Sequence, residues 1–183
     1  MRKVVQYISR LFAVYNLFLY RVDVETVLNT NIISTEKNVT FQRIGNTNYK
    51  LVSNISGELV GNVKKMLSYE DYGVFDCVNG KPVGYGWVKE QGSKDAFFIL
   101  ENSAYLCRFF IHPDCRGMNL YPLTIKHLVD SFKSKYSKFH IAIERNNEAS
   151  IKGAAKMGFK QIKELTFVRI LRCTFNKFKI TTS

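Results

Sequence analysis

A turn at residues 116–121 is the stretch of this 183-residue sequence whose residue types best suit anion binding. The apolar run before it ends at Ile111. Pro113 and Gly117 then mark the turn, because proline donates no backbone hydrogen bond and glycine tolerates unusual backbone angles. After Asn119, apolar residues recur every three to four positions, which predicts an amphipathic helix. Free N–H groups and the positive dipole end of that helix, together with Arg116, predict a phosphate-type site. An ordinary connection is the alternative interpretation.

A second block follows about thirty residues downstream. Asn147 can cap a helix, and Gly158 is placed to end it, because a residue just past a helix often adopts the left-handed conformation that glycine favours. The predicted order of elements is therefore strand, turn, helix, strand and helix. This order is typical of an α/β domain built on one sheet.

The two blocks together resemble motifs A and B of the GCN5-related N-acetyltransferase (GNAT) family. The turn is similar to the family pattern Arg/Gln-x-x-Gly-x-Gly/Ala, with Arg116 at the first position. Asn119 and Tyr121 occupy the positions that usually hold glycine, and glycine or alanine. Residues 147–151 and 156–159 are similar to Asn-x-x-Ser/Ala followed by Lys-x-Gly-Phe.

The resemblance implies an acyl-CoA-dependent N-acyltransferase, one that transfers acetyl from acetyl-CoA to a primary amine by direct attack in a ternary complex. It implies that the pyrophosphate of the co-substrate lies on the turn and that its pantetheine arm follows a strand splayed from its neighbour. No metal is expected. The residues predicted to bind acetyl-CoA are Phe109, Phe110, Ile111, Arg116, Gly117, Met118, Asn119, Leu120, Tyr121 and Asn147.

Proton transfer needs a base for the amine and an acid for the departing thiolate. Some relatives carry a glutamate at the position of Tyr105, and strand alternation places Tyr105 on the same face as Cys107, Phe109 and Ile111. We therefore predict that Tyr105 lines the reaction centre. The other candidate bases, besides a chain of water molecules, are Glu101, His112 and Glu144.

The acid is the less well-defined group. The tyrosine that the family usually places seven residues after the motif B asparagine is replaced by Ala154. Tyr121, at the turn, is the candidate substitute. A thiol pKa near 8.5 makes the thiolate a tolerable leaving group, so loss of the usual acid need not abolish turnover.

Charge and cysteine content narrow the class of protein. Residues 126–183 hold 13 Lys and Arg against four Asp and Glu, so most of the net charge of +12 lies there. This basic C-terminal segment suits an anionic partner such as coenzyme A, nucleic acid or a lipid surface. The four cysteines form no C-x-x-C pair, and Cys107 and Cys173 fall in apolar runs, which indicates a reduced, cytoplasmic protein without a zinc site.

The elements predicted along the chain form one α/β domain over residues 1–183, and the GNAT resemblance implies a mixed, mostly antiparallel, twisted sheet flanked by helices. The domain comprises an N-terminal helix and strand, at about residues 1–44, and a CoA-binding core at about 73–171. The helix is predicted over residues 4–19 from an apolar stripe. Residues 4–20 are too polar to span a membrane, although such a helix allows peripheral membrane contact.

Two further classes of function compete with the enzyme. The replacements at Asn119, Tyr121 and Ala154 are compatible with a GNAT-like module that binds CoA with little or no turnover. A basic nucleic-acid-binding protein is disfavoured, because the aromatic residues lie in apolar strands and do not alternate with lysine and arginine. We expect a small-molecule or peptide amine as acceptor, no nucleic acid, and a monomer or homodimer.

Overall fold

The computed structural model of this protein describes residues 12–69, 71–91, 93, 102–170 and 173–175. Their strands form one sheet in the order β2-β3-β4-β5-β6-β1-β7-β8. All neighbouring strands that it describes are antiparallel except β5 and β6. The predicted mixed, mostly antiparallel sheet is confirmed. The strands are β1 (Phe12–Asp23), β2 (Val39–Arg43), β3 (Tyr72–Val78), β4 (Lys81–Lys89), β5 (Ser103–Ile111), β6 (Lys138–Glu144), β7 (Lys160–Ile170) and β8 (Cys173–Phe175).

Helices cover both faces of this sheet. Three of them, α1 (Val24–Asn29), α3 (Leu120–Phe132) and α4 (Glu148–Lys156), contribute to one apolar core with residues of β1, β3, β4, β5 and β6. On the opposite face α2 (Val60–Leu67) and the 3-10 turns Tyr49–Asn54 and Gly57–Leu59 pack over β3, β4 and β5. None of the described helices is long and apolar enough to cross a membrane.

The hairpin between β3 and β4 shows how local sequence sets the register of the sheet. Asn79 and Gly80 both adopt positive φ angles, 51° and 75°, as a two-residue type I′ turn requires. Val78 therefore pairs with Lys81. Further along, Gly84 pairs with Asp76. Only glycine fits at this position, because a Cβ there would come within 2.7 Å of the Asp76 carboxylate and 2.8 Å of the Phe110 carbonyl.

The predicted N-terminal helix is wrong for residues 12–19, which belong to β1. This strand lies between β6 and β7 and pairs with both, for example through Leu17 with Glu144 and Leu165. A strand in the interior of a sheet is often apolar on both faces. Its apolar residues then also occur at the three- to four-residue spacing that predicts an amphipathic helix. Residues 4–11 lie outside the described part of the chain. The proposed membrane contact through a helix consequently has no support from residues 12–19.

Candidate functional site

Two neighbouring strands separate at the centre of the sheet. β5 pairs with β6 in parallel only from Ser103 to Leu106, whereas its pairing with β4 continues to Ile111. The second half of β5 thus turns one edge of backbone groups toward a gap. Such an edge can hydrogen-bond an extended ligand in place of the missing strand.

A β-bulge in β5 marks the point of separation. Tyr85 pairs with Phe110 and Trp87 with Cys107, so Gly86 alone faces Arg108 and Phe109. Arg108 has a φ of 51°, an uncommon left-handed conformation for a residue with a side chain. Bulges of this kind redirect side chains and are frequent beside active sites.

The bulge overturns the predicted alternation of faces along β5. Tyr105 and Cys107 pack with the core beneath α2, whereas Phe109 packs with the core beneath α3 and α4. The extra residue at Arg108 shifts the alternation by one position, because side chains in a strand change face at every residue. Tyr105 therefore does not share a face with Phe109.

The turn after β5 begins helix α3 as predicted. Gly117 and Asn119 both have positive φ angles, 81° and 57°. The Asn119 side chain does not cap the helix. Among the described residues, none accepts a hydrogen bond from the N–H groups of residues 117–121. These donors lie at the positive end of a 13-residue helix, an arrangement that favours anions, and the binding of a phosphate there stays a prediction.

The Asn119 side chain instead connects three segments. Its amide nitrogen donates to the carbonyl of Ile33 over 2.8 Å, and its oxygen accepts from the Lys156 ammonium over 2.8 Å. Ser34 donates to the neighbouring carbonyl of Met118 over 3.3 Å. The loop before β2 and the end of α4 are thereby fixed against the turn.

A cleft of about 480 Å³ lies between the free half of β5, the turn and α4. Its described lining includes three cationic side chains and no carboxylate, which suits a polyphosphate. The lining residues are Phe109, Phe110, Ile111, Cys115, Arg116, Gly117, Asn119, Leu120, Tyr121, Pro122, Asn147, Ala149, Ser150, Lys152, Gly153 and Lys156.

Tyr121 occupies the cleft in a way that explains how the turn tolerates it. Its ring meets Phe109 edge to face at 4.9 Å, and a Cβ on Gly153 would lie 2.5 Å from it. Because Gly153 on α4 has no side chain, it leaves room for the Tyr121 ring. The turn can therefore carry a large residue where the family usually has glycine or alanine. The Tyr121 hydroxyl is buried and has no hydrogen-bond partner among the described residues, and burial raises its pKa.

Helix α4 forms the other wall of the cleft. The Asn147 side chain caps it by accepting from the N–H of Ser150 over 3.1 Å. Gly158 follows its end with a φ of 81°, as predicted. Ala154, at the position of the family tyrosine, is fully buried in the core and does not face the cleft lining described above.

The structure brings most of the predicted cofactor-binding residues together, although their role stays a prediction. All of them except Met118 line the cleft. Lys152 and Lys156 also line the cleft and were not predicted to do so. The signal was available, because residues four positions apart in the predicted motif B helix lie on one helix face. The missed Cys115 has no such signal.

The candidate bases are scattered. Tyr105 lies outside the described lining of the cleft, and burial raises its pKa, so its phenol stays protonated at neutral pH. Glu144 is exposed at the end of β6. His112 accepts a 3.4 Å hydrogen bond from the N–H of Asp114. Glu101 lies outside the described residues.

Two buried titratable groups lie on strands of the sheet other than β5. Asp76, on β3, accepts from the Thr124 hydroxyl over 2.8 Å, and burial raises its pKa to about 8. His140, on β6, pairs in register with Tyr105 and is also buried. Burial, followed by the charges of Arg21 and Lys138, lowers its pKa to about 4. The described residues contain no cluster of three or more potential metal ligands.

Comparison with known proteins identifies the family. A profile of the Acetyltransferase (GNAT) family matches residues 53–159, more than half of the chain. The chain therefore belongs to the GNAT acetyltransferase family. No curated protein matches the sequence significantly.

Solved structures share the fold. A functionally unknown conserved protein from Staphylococcus epidermidis superposes with a TM-score of 0.64 at 9% identity, over 91% of this chain and 64% of that one. A tandem GNAT protein from the clavulanic acid biosynthesis pathway gives 0.64 at 13% identity, over 86% and 54%. An aminoglycoside N-acetyltransferase, AAC(6')-Iy, in complex with CoA gives 0.54 at 13% identity, over 67% and 92%. The chain spans less than two thirds of the first two structures, and these likenesses show the fold alone.

Proposed function

We propose that this protein is an acetyl-CoA-dependent N-acyltransferase that acetylates a primary amine in a ternary complex. The observation that carries the proposal is the cleft, where the edge of β5, a turn whose N–H groups have no acceptor among the described residues, and three cationic side chains adjoin one another. A long molecule with a peptide-like arm and a polyphosphate end matches that arrangement. Acetyl-CoA has this structure.

The binding roles follow from position. Arg116 and the N–H groups of residues 117–121 would hold the pyrophosphate, with Lys152 and Lys156 adding charge from α4. Phe109, Phe110 and Ile111 would offer their backbone to the pantetheine arm. Asn147 and Leu120 would complete the walls, and Met118 would act through its backbone in the turn.

The chemistry requires two ordered reactants more than a reactive side chain. The amine attacks the thioester carbonyl, a C–N bond forms, the C–S bond breaks, and the amine gives up its proton. Holding amine and thioester together can contribute about 7–11 kcal/mol to lowering the barrier. Backbone N–H groups near the bulge would stabilise the developing oxyanion.

Tyr121 and Tyr105 are proposed for the proton transfers. The protonated, unpartnered hydroxyl of Tyr121 lies in the cleft wall and could donate to the departing thiolate. Tyr105 lies on the opposite face of the sheet, where its raised pKa excludes it as a direct base but permits a relay through water.

A CoA-binding module without turnover is the second candidate. The burial of Ala154, where relatives carry the acid, favours it. We further propose that residues 1–183 form one domain, since every described strand joins one sheet. Cys77, Cys107 and Cys115 are free thiols, which supports a cytoplasmic location. We also propose that the protein is a monomer or a homodimer.

Melting curves with CoA and acetyl-CoA test the binding. At a ligand concentration a hundredfold above Kd, the free energy of unfolding should rise by about 2.7 kcal/mol. No shift at millimolar CoA would contradict both candidates. Thiol release across a panel of amines then separates them, because the binding module would shift its melting temperature and release no thiol.

A further inference from the structure

A second, smaller pocket lies on the face of the sheet opposite the cleft. It has a volume of about 150 Å³ and lies between α2 and the bulge. We name it the bulge pocket; its lining residues are Asn62, Val63, Met66, Tyr85, Trp87, Arg108 and Phe109. It is smaller than the about 300–1,000 Å³ typical of drug-sized ligand sites, so it suits a small molecule or one end of a longer one.

The bulge pocket adjoins the cleft at a single residue. Phe109 lines both cavities, and the bulge at Arg108 lies at the same point of β5. If acetyl-CoA lies in the cleft, a molecule in the bulge pocket approaches the same strand from the other side. This arrangement holds the amine acceptor next to the thioester, so the inference rests on the proposed function.

The charge of the bulge pocket is one-sided. Arg108 is its one ionised side chain, since its described lining contains no Asp, Glu, Lys or His. The bulge holds Arg108 in a left-handed conformation, which is unfavourable for a residue with a side chain and persists mainly where the surrounding structure fixes it. Burial raises the pKa of Tyr85, with the Arg108 charge opposing, so its phenol stays neutral.

Trp87 adds a second donor. Its side chain is fully buried, and its indole N–H has no hydrogen-bond partner among the described residues. A buried donor without a partner is unfavourable, and an acceptor atom brought by a ligand would satisfy it. A cation and an unsatisfied donor select a ligand that carries negative charge.

We propose that the acceptor is a primary amine that also carries a carboxylate, of about the size of an amino acid. Arg108 binds the carboxylate as a planar, two-pronged donor, with Trp87 as the second donor. The amine then points toward the bulge and the cleft. A compound whose only charges are ammonium groups, such as a polyamine, meets Arg108 with repulsion.

The pocket contains its own reporter, because Trp87 is the only tryptophan of the chain. Its fluorescence can be followed while leucine or isoamylamine is added, two compounds that differ by the carboxylate. Lysine with cadaverine forms a second pair, and phosphoethanolamine tests a phosphate in its place. The titrations are made with and without CoA, so that the bulge pocket is read independently of turnover.

We expect a saturable response to leucine and lysine, with at least tenfold weaker binding of isoamylamine and cadaverine. Arg108→Asn should abolish that difference, and asparagine suits the left-handed conformation, so the bulge is retained. Lys64→Asn, an exposed position on α2 outside the pocket lining, is the matched control and should change nothing. With acetyl-CoA, kcat/KM for leucine should fall at least tenfold in Arg108→Asn.

Each other outcome contradicts a distinct claim. Equal responses within each pair, a preference for phosphoethanolamine, no response to the carboxylates, or an unchanged difference in Arg108→Asn would overturn the carboxylate assignment and leave the acyltransferase proposal intact. A missing CoA shift in the melting curve would instead contradict the proposed function.

Discussion

The cleft and the bulge pocket lie on opposite faces of one strand but are built differently. The cleft is made of two continuous stretches, residues 109–122 and 147–156. The bulge pocket combines α2, β4 and β5, which meet only after the sheet has formed. One cavity is thus encoded by local motifs and the other by long-range packing, so sequence reasoning reaches the first more easily.

The largest effect is expected where α4, the wall of the cleft, ends. Gly158→Val places a β-branched residue at a φ of 81° and a Cβ 2.4 Å from the methyl group of Thr26. Left-handed strain and overpacking together should lower the free energy of unfolding by about 2–5 kcal/mol. Chemical denaturation followed by circular dichroism measures it.

Gly61→Ala is the matched control, because nothing lies within 4 Å of a Cβ at this position in α2. Alanine there should raise the free energy of unfolding by about 0.5–1 kcal/mol. A Gly158→Val protein as stable as the wild type would contradict the left-handed end of α4.

The next effect separates the two cavities by ligand. Arg116→Ala should weaken CoA binding by about 10- to 150-fold, since a charged hydrogen bond to phosphate contributes about 1.5–3 kcal/mol. Arg116 is exposed, so the melting temperature without ligand should not change. Calorimetric titration with CoA measures the affinity, and Lys81→Ala, an exposed residue in the hairpin, is the control.

The fluorescence response of Trp87 to leucine should be the same in Arg116→Ala as in the wild type, because Arg116 lines the cleft and not the bulge pocket. Full CoA affinity in a stable variant would mean that the turn is only a connection. A parallel loss of leucine binding would mean that the two cavities are not independent.

The same contrast between local and long-range contacts explains which features of the structure could be predicted from the sequence. The turn at Arg116, the cap at Asn147 and the glycine at 158 depend on a few adjacent residues, and the structure places them as predicted. The Asn79-Gly80 hairpin was predictable for the same reason. Each of these features is specified by backbone angles and helix ends, which neighbouring residues control.

The failures depend on distant residues. Nothing near Arg108 signals a bulge, which forms where Gly86 on β4 lies opposite two residues of β5, and so the face of Tyr105 was assigned wrongly. Residues 12–19 form a strand because β7 pairs with all of them and β6 pairs with residues 17–19 on the other side. The bulge pocket depends on such long-range contacts, and so the sequence did not predict it.

On β3, a pH-dependent effect should follow from Asp76, which contacts Thr124 of helix α3. Its pKa of about 8 exceeds the about 3.9 of an unfolded aspartate, so the folded state holds one more proton between these values. Its contribution to stability is therefore full below about pH 4 and falls by about 1.4 kcal/mol per pH unit until about pH 8.

His140 has the opposite sign, because its folded pKa of about 4 lies below the unfolded value. Its contribution is full above about pH 6.5 and is lost as the pH falls toward 4. The two oppose each other between these values, and the fall due to Asp76 remains from about pH 6.5 to 8, about 2 kcal/mol.

Urea unfolding at several pH values measures this slope. Asp76→Asn should flatten it above pH 6.5, whereas Asp114→Asn, at an exposed position, should leave it unchanged. An equal slope in wild type and Asp76→Asn would show that the buried carboxyl does not hold its proton.

The smallest effect concerns the two tyrosines, one on each side of the strand. Tyr121→Phe removes a buried hydroxyl without a described partner, so its melting temperature should stay constant or rise. If that hydroxyl protonates the thiolate, kcat/KM for the best amine should nevertheless fall about tenfold, equivalent to about 1.4 kcal/mol, with CoA affinity unchanged. A rate that holds in Tyr121→Phe while stability rises would make Tyr121 a packing residue, and the cleft would supply binding alone.

Tyr105→Phe should give a fall in kcat/KM of about the same size if its phenol relays the amine proton, because the ring and its packing remain. A rate that holds in Tyr105→Phe, with stability lost only in Tyr105→Ala, would assign Tyr105 to the core and leave Glu144 and Glu101 as the next bases to replace.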